Sequence, residues 1–170
     1  MKVRNTVLCG VFAALLCLCA WISVPAGDLS FTLQTFGVFL TLGLLGGRLG
    51  TVSILIYLLL GVVGLPVFSG FRGGIGALLS PTGGYLLGFL ALALVFWLAE
   101  KYAPLWVAML FGLLFCYLLG TVWLSAVYLD GSRIGFAAAA AKCVLPFLIP
   151  DGLKLGLALL LTGKLKRFVY

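Results

Sequence analysis

The chain has 170 residues, 64% of them hydrophobic and 9% charged, with a formal net charge of +7 and a mean hydropathy of +1.30. A soluble domain carries about 45–50% apolar and about 25% charged residues, so 11 Lys+Arg and 4 Asp+Glu cannot coat a water-soluble globule of 18.0 kDa. A cytosolic enzyme and a disordered tail are excluded, and no basic run interleaved with aromatics offers a nucleic-acid surface. What remains is an integral membrane protein whose main solvent is lipid.

A hydrocarbon core about 30 Å thick needs roughly 20 apolar residues per crossing helix, which leaves room for one compact membrane domain over residues 1–170. The apolar stretch from Val7 to about Val24 is long enough to cross. It has the basic start of a signal peptide but no small-x-small cleavage site, so it is read as the first span. Pro25, Ala26, Gly27, Asp28, Leu29 and Ser30 form a polar turn. The second span, 31–46, opens on Thr32, Gln34 and Thr35 and closes on Gly46-Gly47-Arg48. The third, 51–65, ends at Gly64 and Pro66. From Val67 to Thr82 the chain is glycine-rich and broken, too short and irregular to cross. Irregular backbone at a membrane must be buried in protein or line a wet cavity, which makes this segment the first pointer to a binding site.

The fourth span, 83–99, stops at Glu100-Lys101, and the fifth, 104–129, is the longest. Asp130, Gly131, Ser132 and Arg133 form a turn before a short alanine-rich helix, Phe136 to Cys143. Pro146 and Pro150 are expected to interrupt the chain ahead of the sixth span, 151–165. The resulting fold is all-α, with six transmembrane helices and no internal repeat. Lys2, Arg4, Arg48, Lys101, Lys164, Lys166 and Arg167 then fall on the side of both termini. Arg72 and Arg133 fall opposite, with Lys142 and Lys154 near that face. The excess of Lys and Arg places both termini in the cytoplasm of a multi-pass plasma-membrane protein.

Histidine is absent, and Cys9, Cys17, Cys19, Cys116 and Cys143 include no Cys-x-x-Cys pair. No metal or cofactor is expected, and most of these cysteines act as small hydrophobes. Polar chemistry concentrates in three segments. Asp151 and Lys154, three apart and so on one helix face, are costly at membrane depth and for that reason functional candidates. Placed at a helix start, they would also have free N–H groups nearby. Ser69, Arg72, Gly74, Ser80, Thr82 and Tyr85 belong to the glycine-rich segment and the helix after it, and Gln34 and Thr35 enter the second span from the same side. Apolar walls with a few convergent polar groups describe a small-molecule site. Gly10, Ala13, Ala14 and Cys17 form a stripe of small residues, suited either to internal packing or to docking another membrane helix. No ATP-binding motif and no paired repeat is present, so binding here calls for a partner that supplies the energy.

The run GLPVFSGFRGGIGALLSPTGGYLLGF, Gly64 to Phe89, resembles the signature of the BioY family, the biotin-specific S components of energy-coupling factor (ECF) transporters. VPAGDLSFTLQTFGVFLTLGLLGGRLG (Val24 to Gly50) and PFLIPDGLKLGLA (Pro146 to Ala158) resemble its two other motifs, so the likeness covers nearly the whole chain. Ser80 departs from the family's usual glycine. The resemblance implies a substrate-capture domain, not an enzyme, that takes biotin from outside. Delivery inward would then need a T (coupling) subunit and two ATP-binding ATPase subunits. It implies vitamin binding by Asp151 and Lys154, a part for Thr32 to Thr35 and Pro81 to Tyr85, and T-subunit docking on Gly10, Ala13, Ala14 and Cys17. Arg72 is a second candidate for the vitamin's carboxylate. Two alternatives stay open: an S component for another vitamin, and a small ion- or proton-coupled carrier with Asp151 as relay.

Overall fold

The computed structural model describes residues 3–26, 29–127, 138, 140–141 and 144–169. Helix α1 spans Val3–Trp21, and strands β1 (Ser23–Ala26) and β2 (Leu29–Thr32) follow it. Helix α2 spans Gln34–Val62, then come a 3₁₀ turn at Ser69–Phe71 and the short α3, Ile75–Leu79. Helices α4 (Gly83–Ala99), α5 (Leu105–Val127) and α6 (Leu145–Val169) complete the described chain. Lys2, Gly27, Asp28, Asp130 to Arg133, Lys142 and Cys143 lie outside the described residues, as does most of the expected alanine-rich helix. Four helices, α1, α2, α5 and α6, are long and apolar enough to cross a membrane, and α4 is a shorter apolar helix.

α2 holds the expected second and third spans, joined with no loop between them. Gly46 breaks it, with φ 73° and ψ 173°, a backbone region that glycine enters at little cost. The two limbs fold back on each other at that residue. A Cβ on Gly50 would stand 3.3 Å from the Cα of Leu42, whereas eight residues of straight helix span about 12 Å. The reversal is held from outside by α4, where Glu100 Oε2 accepts the Gly47 N–H at 2.8 Å.

α2 packs on α1, α4 and α6, and α4 packs on α5. Leu16, Phe39, Leu42, Ile54, Leu92, Phe96, Met109 and Ala158 form the buried core. The outer faces stay apolar: Leu98, Ile149, Leu153 and Leu160 are all exposed, as expected where lipid covers the surface.

Three expectations need correction. α1 begins and ends several residues before 7–24, because the chain after Trp21 turns into an antiparallel hairpin with Ser23 opposite Thr32 and Val24 opposite Phe31. The stretch expected as a turn at 25–30 thus contributes to both strands of this short hairpin, within an all-helical fold. Pro146 and Pro150 do not interrupt the last helix, which already starts at Leu145. Pro146 sits in the first turn, where its missing N–H costs nothing, and Pro150 gives up a single intrahelical bond. Asp151 and Lys154 consequently lie in the second and third turns, away from the unpaired N–H groups of the helix start.

Candidate functional site

The hairpin, the loop after α2, the start of α4, the middle of α5 and the start of α6 enclose a cavity with about 780 Å³ of empty space, its mouth included. It draws its polar lining from Thr32, Gln34 and Thr35, from Ser69 and Arg72, from Thr82 and Tyr85, and from Tyr117 and Asp151. Phe68, Phe89, Phe147, Leu86 and Leu113 supply apolar walls. The three polar segments picked out in the sequence therefore meet in one space.

Asp151 is 2% exposed. Its Oδ1 accepts from Lys154 Nζ at 2.7 Å, and its Oδ2 accepts from the Tyr117 hydroxyl at 2.6 Å. A carboxylate offers about four lone-pair positions, so these two bonds leave acceptor capacity at the cavity wall. Lys154 itself does not line the cavity. It lies three residues along the helix and neutralises the buried charge, which an isolated carboxylate could not sustain in an apolar setting.

On the first limb of α2, Gln34 Nε2 donates to the Tyr57 hydroxyl at 2.6 Å. That bond consumes an amide donor and leaves the Gln34 carbonyl oxygen as acceptor. Gln34 and Thr35 are both buried, so the polar opening of the second span faces inward. Tyr57 meets Phe68 edge to face, with ring centroids 5.6 Å apart, a favourable aromatic arrangement.

Arg72 is exposed, and its Nε donates to the Ser69 carbonyl at 3.2 Å. The same loop is tied to α1, because Trp21 Nε1 donates to the Pro66 carbonyl at 2.8 Å and the Trp21 ring stacks on Phe71 at 5.2 Å. The hairpin is tied to α6 by the stack of Phe31 on Phe147, at 4.4 Å. Gly74 lies outside the cavity lining and caps α3 while its N–H donates to the Gly61 carbonyl at 2.7 Å. Ser80 also lies outside it: its hydroxyl is 2.9 Å from that of Thr82, and its carbonyl accepts from Trp123 Nε1 at 3.0 Å.

The small-residue stripe of α1 divides. Ala13 and Cys17 are buried, with Cys17 Sγ donating to the Ala13 carbonyl at 3.2 Å, whereas Gly10 and Ala14 are exposed. At 3.6 residues per turn the four positions cover an arc of about 100°, wide enough to straddle the edge of the buried face. Gly10 and Ala14 are the two left open to a neighbour.

Sequence reasoning missed Tyr117, Phe147, Phe68, Phe89 and Cys116 as lining residues. Tyr117 carried a usable signal: a phenol in the middle of an apolar span must find a hydrogen-bond partner. The others are ordinary apolar residues that only packing assigns to the cavity.

Comparison with known proteins agrees with this architecture. A protein from Pyrococcus horikoshii named "Probable biotin transporter BioY" is 40% identical over 166 residues, covering 98% of each chain. The "Biotin transporter BioY" of Thermotoga maritima is 40% identical over 168 residues, covering 96% of each. The crystal structure of "the S-component for biotin from an ECF-type ABC transporter" matches with a TM-score of 0.85 at 27% identity, over 98% of this chain and 92% of that one. The model of the BioY family matches residues 1–170, and the chain belongs to that family.

Proposed function

We propose that this chain is the biotin-capturing S component of an ECF-type vitamin uptake transporter. The observation that carries the reading is the buried Asp151 carboxylate, held by Tyr117 and Lys154 on the wall of a largely apolar cavity whose loop side carries Arg72. Biotin has a ureido ring with two N–H donors and one carbonyl, a thioether ring, and an aliphatic chain ending in a carboxylate. Asp151 has free acceptor capacity for the ureido N–H groups, and Phe68, Phe89 and Phe147 suit the apolar body. Lys154 is engaged behind Asp151, so the acid end of biotin is assigned to Arg72 at the exposed loop. Gln34, Thr35, Thr82 and Tyr85 complete the polar lining, and Gly74 anchors the loop. The names of the two relatives and of the solved neighbour point to the same vitamin.

The same reading gives six membrane crossings in the plasma membrane, with the two limbs of α2 as separate spans and both termini in the cytoplasm. Two features support it. Glu100 binds the reversal at Gly47, and Gly46, Glu100 and Lys166 line one shared cavity, which gathers Arg48, Lys101, Lys164, Lys166 and Arg167 toward one end of the bundle. Arg72, the hairpin and the binding cavity belong to the other end. A T subunit docks on the Gly10 and Ala14 face, and two ATPase subunits supply the energy that this chain has no motif to harvest.

Calorimetric titration of the detergent-solubilised protein, stripped of copurified vitamin, tests the proposal. Saturable heat and a raised melting temperature with biotin are expected. Absence of both overturns it, and a response to thiamin or riboflavin instead reassigns the vitamin.

A further inference from the structure

Gly61 does not line the cavity, yet two features of the site converge on it. Its bare Cα faces the Phe68 ring so closely that a methyl group there would overlap the ring at three of its carbons. Its carbonyl accepts from Gly64 N at 3.1 Å and from Gly74 N at 2.7 Å, so one oxygen clasps both arms of the loop that brings Phe68, Ser69 and Arg72 to the cavity. Phe68 is 2% exposed. It also abuts Tyr57, whose hydroxyl accepts from Gln34 of the cavity lining.

We propose that Gly61 is a positioning residue that sets the shape of the binding cavity through Phe68. A side chain at 61 moves the aromatic ring off α2, and the ring then intrudes on the cavity or disturbs the contact with Tyr57. Backbone geometry does not demand glycine here, because residue 61 lies within regular helix. The absence of a Cβ serves the ring alone. The inference rests on the reading of the cavity as a biotin site.

A double-mutant cycle tests it. Gly61→Ala, Phe68→Leu and the pair are each titrated with biotin and melted without it. Overpacking at one well-filled position predicts about a tenfold loss of affinity for Gly61→Ala. In the Phe68→Leu background, where the smaller side chain leaves room, the added methyl should cost at most about twofold. Wild-type affinity in Gly61→Ala, or losses that multiply in the pair, would overturn the proposal. If Gly61→Ala alone does not fold, the pair is expected to fold and bind like Phe68→Leu, and its failure is equally fatal. A wild-type chain that ignores biotin sinks the reading of the site instead. The coupling is then read from the four melting temperatures, where the same non-additivity is expected.

Discussion

The hydroxyl of Tyr117 donates to Oδ2 of Asp151 at 2.6 Å, joining the middle of α5 to the second turn of α6. Both residues line the cavity, so the bond sits on its wall. Tyr117→Phe removes the donor while keeping the ring. A hydrogen bond to a charged group contributes about 1.5–3 kcal/mol, and the carboxylate keeps its lysine, so a loss toward the lower figure is expected. Biotin affinity should fall about tenfold with little change in helix content by circular dichroism. Unchanged affinity would mean that Asp151 needs no phenol to hold its pose.

Asp151 and Lys154 should respond differently to removal of their partner. Asp151→Asn keeps the shape but loses the charge proposed to receive biotin's N–H groups. Its affinity for biotin should drop by about ten- to hundredfold. Lys154→Ala leaves a buried carboxylate without its cation, a loss of about 3–5 kcal/mol in fully buried pairs. The Lys154 side chain is 12% exposed and that of Asp151 3%, so some solvent relief reduces that figure. The unliganded melting temperature should fall more in Lys154→Ala than in Asp151→Asn, because a long lysine left alone can reach toward solvent. Equal melting temperatures would contradict this division of roles.

In the proposed pose, Arg72 meets the acid end of biotin and not its ureido ring. Arg72→Gln should weaken biotin by a few-fold, in line with about 1 kcal/mol for an exposed charge pair, and should leave biotin amide binding unaltered. The effect should shrink at high salt, since exposed charges are screened beyond about 10 Å at 0.1 M. Parallel losses for acid and amide in the titration would remove Arg72 from contact with the carboxylate.

Ala14 is exposed on α1 and Ala13 is buried. Ala14→Leu should therefore spare biotin binding by the isolated chain and abolish uptake in cells that also supply the T and ATPase subunits. Close helix approach in lipid depends on small residues at the contact. Ala13→Leu should instead lower the melting temperature, because extra methylenes in a packed core cost about 1–3 kcal/mol. Full uptake with Ala14→Leu would rule out docking through this face.

The sequence alone determined the apolar solvent, the rough place of the long apolar helices, and the three polar segments. Apolar runs and glycine or charge breaks are local properties that the thickness of a membrane converts directly into spans. Glu100 marked the end of α4 and Gly46-Gly47 the reversal in α2 for that reason. Tertiary structure decided what faces what. Proline chemistry argued for a break before Asp151, but α6 runs through Pro150 at the cost of one hydrogen bond and packs on α2. The small stripe of α1 looked uniform until burial split Ala13 from Ala14. Lys154 and Asp151 look equivalent in a helical wheel, yet one lines the cavity and the other stands behind it. Phe68 and Phe147 carry no local mark of a binding wall, because an apolar ring in lipid, in core and against a ligand has the same chemistry. Only the contacts between distant segments tell these apart.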